Sequence, residues 1–501
     1  MSARADFLGG SPASRRLRSL GVAAFVLLHV LHVAGGLARL PFLSEDWNHL
    51  EVAASERSVA DALDPAREPL RPLQHLFVHT LARSVAPAPG RARIPALLLF
   101  LGSCALVFAL ARGLGAPRRG AFAAAALFAL FPCVEAYAWV AAISGPLRVF
   151  FLLAALTAFV SRERRPTRAK GATLVAATIG ALLAHESAVL LPLLCLSWVV
   201  AGAEGLRDAR ARVAALIRDP WFAASAALAL IWAAYVALRP ERHHALRGLE
   251  GLPANVVKAA FALFPEIVRV VAVAGFRGSG GTPGFVCAGI LFLGVAALVV
   301  LLLVRGSRST RFVVLAVLAD AALPVLSTGY VQRYALLSGA LAACAIGTAF
   351  GRRPTHLGFA AIVLLALAWS TDARGDLEDH VRAAGAQSIV LESARSARDA
   401  APGRPIALVD LPDLVGTERE LPLFNWGLRQ WFAHERLEGP WLFWRTRAYR
   451  TSTDVELVDR ARIEAAAGEG VVVLVFEPSP GNSEALGRLV PLAESAAVLP
   501  R

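Results

Sequence analysis

The chain has 501 residues, 56% of them hydrophobic, and a mean hydropathy of +0.56. A composition this apolar excludes an ordinary soluble protein and leaves room for many membrane spans. The net charge of +13 would suggest nucleic acid in a soluble chain, but many of the arginines sit in short loops between apolar runs, where positive charge marks the cytoplasmic side, so no nucleic-acid partner is expected. Lys170 and Lys258 are the only lysines; with the Ala richness this suggests a GC-rich bacterial genome and a multi-pass protein of the bacterial inner (cytoplasmic) membrane. Cys104, Cys133, Cys195, Cys287 and Cys344 lie in or beside apolar segments with no CxxC spacing and read as packing residues.

Arg15, Arg16 and Arg18 precede the first apolar run. No small-residue cleavage pattern follows before Pro41, so an uncleaved first helix is expected. A bilayer core of about 30 Å needs roughly 20 apolar residues per helix. Runs of that kind begin near Leu20, Ile94, Gly120, Gly145, Gly171, Ala188, Trp221, Gly284, Phe312, Val331 and His356, which makes about eleven transmembrane helices. The basic loops Arg112 to Arg119, Arg162 to Lys170, Arg207 to Arg218, Arg305 to Arg311 and Arg352 to Arg353 alternate correctly if the N-terminus is cytoplasmic, which puts the C-terminal part outside.

Residues 41–93 form a long first extracytoplasmic loop, in which Leu70 to Val85 has the spacing of a helix lying along the interface. Residues 254–276 are apolar enough to span but carry Lys258, Glu266, Arg269 and Pro265, and read as a surface helix. A span there would bring the C-terminal part inside. These elements compose a transmembrane domain over residues 1–371. From about Thr371 the chain becomes charged and Gly/Pro-punctuated, and residues 372–501 are expected to form a small extracytoplasmic α/β domain. Its expected strands are Pro405 to Asp410 and Val471 to Phe476, and its helices Asp376 to Arg398 and Pro422 to Glu435.

Polar groups collect at the outer ends of the spans. Glu135, Trp139 and Arg148 read as a gap between two apolar helices; Glu45-Asp46 follows the first run, His185-Glu186 and Arg333-Tyr334 end later ones. Charge beside a bilayer is costly and tends to mark substrate sites. Asp46 or Glu45 is a candidate general base, since a carboxylate among apolar helices can accept a proton from an acceptor hydroxyl; the alternative is a loop acid or helix cap. Two adjacent carboxylates are too few ligands to argue a divalent-cation site, and the cofactor stays open. Glu135 is a candidate site acid, with Trp139 beside it or in an aromatic belt. Arg148, His185 and Arg333 are candidates for binding a lipid-borne phosphate, with snorkelling as the alternative; Glu186 pairs with His185 or joins the site. Gly278-Ser279-Gly280-Gly281 lacks the Lys-Ser/Thr of a phosphate loop.

Four segments resemble the integral-membrane glycosyltransferases of the GT-C superfamily, in particular the protein O-mannosyltransferase-like and tetratricopeptide-associated branch. SEDW (Ser44 to Trp47) is similar to the acidic motif after the first span, and RPL (Arg71 to Leu73) to an element later in that loop. FPCVEAYAWVAAISGPLRVFFLLAAL resembles an HP..EAV.WV.GR.DLL segment at Pro132, Glu135, Trp139, Val140 and Gly145. HESAVLLPLL resembles a KE.A..LPL segment, with His185 in place of Lys. Pro146 replaces the Arg of the pattern, and Arg148 stands where an Asp is expected.

The resemblance implies a GT-C-like helical fold. It also implies transfer of a sugar from a polyprenyl-phosphate donor to a glycan, lipid or protein acceptor outside, with membrane lipids as surroundings. Asp46 or Glu45 would be the base, Glu135 a second acid, and His185 or Arg333, with the weaker match at Tyr334, the phosphate binder. The rival expectation is a non-enzymatic transporter or assembly factor for lipid-linked envelope saccharides, or a degenerate member kept as a scaffold.

Overall fold

The structure is a computed structural model. It describes residues 12–43, 45–56, 58–64, 71–84, 89–238, 299–326, 335–352, 355–411, 414–415, 421–422, 428–437, 439–445, 456–477 and 488–494. The surface helix expected over 254–276, the glycines 278–281, most of the run from Gly284, and Arg333 with Tyr334 lie outside these residues.

Helices dominate the described residues of the first 400 positions: α1 (Pro12–Arg39), α2 (Glu45–Ser55), α3 (Pro72–Ser84), α4 (Ile94–Gly113), α5 (Arg118–Ala129), α6 (Ser144–Arg164), α7 (Arg168–Ala184), α8 (Leu191–Ala201), α9 (Leu206–Ile217), α10 (Pro220–Ala237), α11 (Arg308–Leu326), α12 (Ala335–Arg352) and α13 (His356–Ala400). Their ends follow local chemistry. Thr167 accepts from Lys170 N to cap α7, Thr355 caps α13, and Asp219 caps α10 with Pro220 in the first turn. Gly115, at φ +90°, lets the chain leave α4 in the left-handed region.

Among the described residues, five segments are long and apolar enough to cross a membrane: Leu20–Arg39, Pro89–Gly113, Ala141–Arg164, Ala335–Arg352 and His356–Ala400. The chain is therefore a helical membrane protein. Against the eleven spans expected, α5 has 12 residues, α7 has 17 and α8 has 11. The reason is that polar turns at Pro132 and His185 end helices that hydropathy alone runs together. The basic stretch expected as a loop at Arg207 to Arg218 is the helix α9, bent by 81° against α10. Val213 and Leu216, three residues apart, turn inward beneath the charges, and Leu216 is buried.

The central helix is α6, packed against α4 and α7, while α12 packs against α5 and α11 against α8. The α5–α12 seam is a backbone contact: a Cβ on Gly120 would come within 2.3 Å of the Gly347 carbonyl oxygen, and one on Gly347 within 2.4 Å of the Gly120 oxygen. Small residues four apart, Gly347 with Gly351 facing Gly120 with Ala124, allow this approach as in other membrane helix pairs. Gly347→Ala is expected to cost about 1–3 kcal/mol by overpacking, read as a lower Tm in detergent; Thr348→Val on the same helix serves as comparison.

Basic side chains tie one end of the bundle. Arg119 donates to Gly351 O, Arg352 and Ser309 to Leu114 O, and Arg308 pairs with Glu163 while lying over the Trp198 ring at 4.0 Å. The first residues of α6 stand at the other end.

Beyond the spans, α13 does not stop at the composition change near Thr371. It runs 45 residues, so the boundary expected between 371 and 372 falls inside one helix. Its second half buries Ala383, Ala386, Val390 and Ala394, a stripe at helical spacing. Against it lies a sheet of order β5-β4-β1-β6-β7, from β1 (Ile406–Val409), β4 (Trp441–Arg445), β5 (Glu456–Leu457), β6 (Val472–Glu477) and β7 (Arg488–Pro491); a small pair β2 (Leu414–Val415) and β3 (Leu421–Pro422) stands apart. Strand β1 is parallel to β4 and β6, and β7 closes the edge antiparallel. Ile406 and Leu408 face the α13 side with Phe432 and Phe443, while Ala407 and Val409 face α15 (Arg460–Gly468). Of the helix expected over Pro422 to Glu435, the described residues hold α14 (Leu428–His434), which rests on α2, while Pro422 stands in β3.

Candidate functional site

The end of the bundle opposite the basic seam carries a connected set of buried polar side chains. Loop residues 40–43 lead into α2, and Asp46, 1% exposed, accepts from Leu43 N with Oδ2 at 3.2 Å and from Ala141 N with Oδ1 at 2.8 Å. Ala141 belongs to a short turn, Ala141–Ile143, between a one-turn helix Glu135–Ala138 and α6. From α3, Gln74 Nε2 donates to Ala141 O at 2.7 Å. The first loop is thus bound to the 135–143 segment through both the N–H and the C=O of Ala141.

Arg71, just before α3, reaches the turn after α7. Its Nε and Nη2 donate to Glu186 Oε2 and Oε1 at 2.9 and 3.0 Å, a two-point clamp, and Nη1 to Ser144 Oγ at 3.5 Å. Burial works to raise the Glu186 carboxyl, but His185 and the Arg71 guanidinium outweigh it and hold the group well below the ordinary carboxylate range.

Next in the turn, His185 caps the short 186–190 helix: its Nδ1 accepts from Ser187 N at 3.2 Å and lies 3.0 Å from Ser187 Oγ. Arg148 Nη1 donates to that same Oγ at 2.8 Å and to Asp320 Oδ1 at 3.3 Å, while Ser338 Oγ donates to Asp320 Oδ2 at 2.9 Å. Two hydrogen-bonded sets therefore meet at the 185–187 turn, Arg71 with Glu186, and His185 with Ser187, Arg148, Asp320 and Ser338, with His185 Nδ1 3.7 Å from the Glu186 carboxylate; together they join the first loop to α6, α11 and α12.

Several expectations change here. Arg148 is not in a gap between helices or at a lipid rim; it lies one turn inside α6, 1% exposed, with its charge answered by Asp320. Trp139 is 4% exposed in the core and no belt residue. Glu186 pairs chiefly with Arg71 rather than with His185, whose Nδ1 is 3.7 Å away. Glu135 opens its short helix half-buried. The side chain of Glu45 lies outside the described residues, though its backbone begins α2.

Sequence reasoning passed over Asp320, Ser187, Gln74 and Arg93. Asp320 carried a usable signal, being a lone acid within an otherwise apolar run. Ser187 and Gln74 carried none. Among the described residues no cluster of three or more His, Cys, Asp or Glu could hold a metal ion.

No family model matches the sequence, and no curated protein matches it. Among the solved structures that overlap the chain are the following two. The Archaeoglobus fulgidus oligosaccharyltransferase in complex with Zn and sulfate shares 14% identity at a TM-score of 0.42, covering 83% of this chain and 62% of that one. ArnT from Cupriavidus metallidurans in the apo state shares 15% identity at a TM-score of 0.33, covering 92% of this chain and 94% of that one. The chain spans less than two thirds of the oligosaccharyltransferase. Overlaps this loose carry no functional assignment.

Proposed function

We propose that the chain is a GT-C-like membrane glycosyltransferase that moves a sugar from a polyprenyl-phosphate carrier to a cell-envelope acceptor on the extracytoplasmic face. The observation that supports this reading is convergence. The segments around Asp46, Arg71, Glu135 to Ser144, and His185 to Ser187, which carry the sequence resemblance, are bonded to one another in one cluster. The basic seam at the other end of the bundle agrees with a cluster on the outer side.

In this reading the acceptor hydroxyl oxygen attacks the anomeric carbon of the donor with inversion. The bond from that carbon to the phosphate oxygen breaks, and its electron pair leaves with the lipid phosphate. The hydroxyl proton passes to a carboxylate of the Glu45-Asp46 pair. His185, Arg333 and Tyr334 bind the departing phosphate, with Trp139 and Glu135 beside the sugar. Arg148, spoken for by Asp320 and Ser187, supports from behind rather than binding directly. The residues 372–501 bound the acceptor side, as the contact of α14 with α2 suggests.

Asp46 has a double role to separate. Each of its oxygens takes one backbone N–H, so Asp46→Asn would turn an amide N–H₂ toward a donor and destabilise the fold by about 1–3 kcal/mol. Glu45→Gln is the cleaner test of the base. With radiolabelled polyprenyl-phosphate sugars and envelope extract as acceptor, Glu45→Gln is expected to lower turnover about 100-fold or more at unchanged Tm. Full activity in the Glu45→Gln, Asp46→Asn double variant would sink the mechanism. The backbone bonds of Asp46 favour the rival reading, a carrier-binding transporter or assembly factor; binding of every donor without cleavage would establish it.

A further inference from the structure

Helices α12 and α13 are joined by residues 353–355 alone, and a crevice lies between them near that turn. Protein interiors leave few voids larger than a water molecule, yet this one has a volume of about 800 Å³. Ile346 and Phe350 of α12 and Ala361, Ile362 and Leu365 of α13 wall it. Its mouth holds Arg352, Arg305 and Ser307 before α11, and Thr310 in the first turn of α11. Among the described lining residues there is no acid.

Polarity is graded along this space. At 1.5 Å per residue, Ile346 stands about 9 Å along α12 from Arg352, and Leu365 about 13 Å along α13 from His356. The basic mouth therefore sits at the depth of lipid headgroups and the apolar walls at the depth of their chains. The surface beside the crevice is apolar and uncovered: Leu357 and Leu364 of α13 are 82% and 67% exposed. In a membrane such side chains meet lipid, which is as apolar as they are.

The mouth selects the headgroup. At the same end of the bundle Arg308 is answered by Glu163. Arg305 has no hydrogen bond or ion pair among the described residues, and Arg352 gives Nη2 to Leu114 O, a neutral carbonyl. Ser307 Oγ and Thr310 Oγ1 share one hydrogen bond at 3.0 Å, which leaves a hydroxyl proton to give. Two cations without a carboxylate, at headgroup depth, suit a phosphodiester whose charge is not cancelled by an ammonium of its own. We propose that the crevice between α12 and α13 binds an anionic phospholipid, its phosphate at Arg305 and Arg352 and an acyl chain along Phe350 and Leu365. The lipid fills the space at the root of the helix that carries the C-terminal sheet. This binding is independent of whether the chain transfers a sugar.

The test uses full-length protein, delipidated in detergent and titrated with phosphatidylglycerol, with phosphatidylcholine of the same chains, or with inorganic phosphate, while native mass spectrometry counts what is bound. One tight phosphatidylglycerol per chain is expected, held about tenfold or more tighter than phosphatidylcholine, with no phosphate retained. Arg305→Gln, at an exposed position with no bond to lose, should weaken phosphatidylglycerol about fivefold, and Arg305→Gln with Arg352→Gln about thirtyfold, with phosphatidylcholine unchanged. Ala361→Trp, also at an exposed position, fills the crevice and should displace phosphatidylglycerol although both charges remain. Arg218→Gln removes an exposed arginine after α9 that does not line the crevice, and should leave binding unchanged. Equal affinity for the two lipids, or phosphate held as tightly as phosphatidylglycerol, overturns the proposal. So does a loss in Arg218→Gln as large as in Arg305→Gln, or full binding in Ala361→Trp.

Discussion

Arg148→Leu is expected to cost about 3–5 kcal/mol of stability, because it removes one partner of a buried ion pair and leaves the other charged among apolar helices. Arg148 and Asp320 are 1% and 3% exposed, and their atoms approach to 3.3 Å. With the guanidinium gone, the Asp320 carboxylate keeps only Ser338 in the bonds described above. Asp320 lies 172 positions from Arg148 in sequence, so the pair also fastens α11 to α6. Asp320→Leu should cost a similar amount, by stranding the cation. The double variant Arg148→Leu, Asp320→Leu should recover most of either loss, since replacing both charges by apolar groups removes the desolvation cost with the attraction. The check is a double-mutant cycle on thermal unfolding in detergent, with a coupling energy of about 2 kcal/mol or more expected. Single variants that each lose under about 0.5 kcal/mol would mean that the pair does not hold the helices.

How far the sequence leads depends on the kind of signal. Strands β1 and β6 were readable because a short continuous apolar run suits a strand covered on both faces, and both are packed between two layers. The acidic, His-Glu and Glu-x-x-x-Trp segments stood out because charge beside apolar runs is costly. What could not be read is who meets whom. Arg148 looked like a rim charge, since hydropathy places the end of a run without saying what lies beside it; its partner is on a helix that becomes its neighbour only on folding. That the composition change near Thr371 falls inside one helix has a related reason. Composition changes near Thr371, yet α13 merely exchanges an all-round apolar surface for a stripe, Ala373, Leu377, Ala383, Ala386, Val390 and Ala394, that packs against folded protein instead of lipid. Composition averages over a helix; periodicity resolves its faces.

Arg93 shows the same limit most sharply, and its replacement should have an effect nearly as large. In sequence it is one more arginine flanking a span. In the fold it is 1% exposed and spends its fork on backbone: Nε donates to Ala138 O at 2.7 Å, Nη1 to Leu40 O at 2.6 Å and Pro89 O at 3.1 Å, and Nη2 to Pro41 O at 2.7 Å. These carbonyls belong to three separate stretches: the lead into α2, the turn before α4, and the one-turn helix that begins at Glu135. A lysine keeps the charge but presents its donors from one point, and cannot serve carbonyls spread around a planar fork. Each buried carbonyl left without a donor costs about 1–3 kcal/mol, and partial rearrangement would spare some, so Arg93→Lys is expected to lose about 2–4 kcal/mol. Because the same stretches carry Asp46, Glu135 and Ala141, loosening them should lower turnover together with Tm, and cooling should restore both. Glu45→Gln is expected to behave in the opposite way, with turnover lost at every temperature and Tm unmoved. Arg93→Lys within about 0.5 kcal/mol of wild type would mean that the three stretches are held by their own packing, and the guanidinium merely fills the space between them.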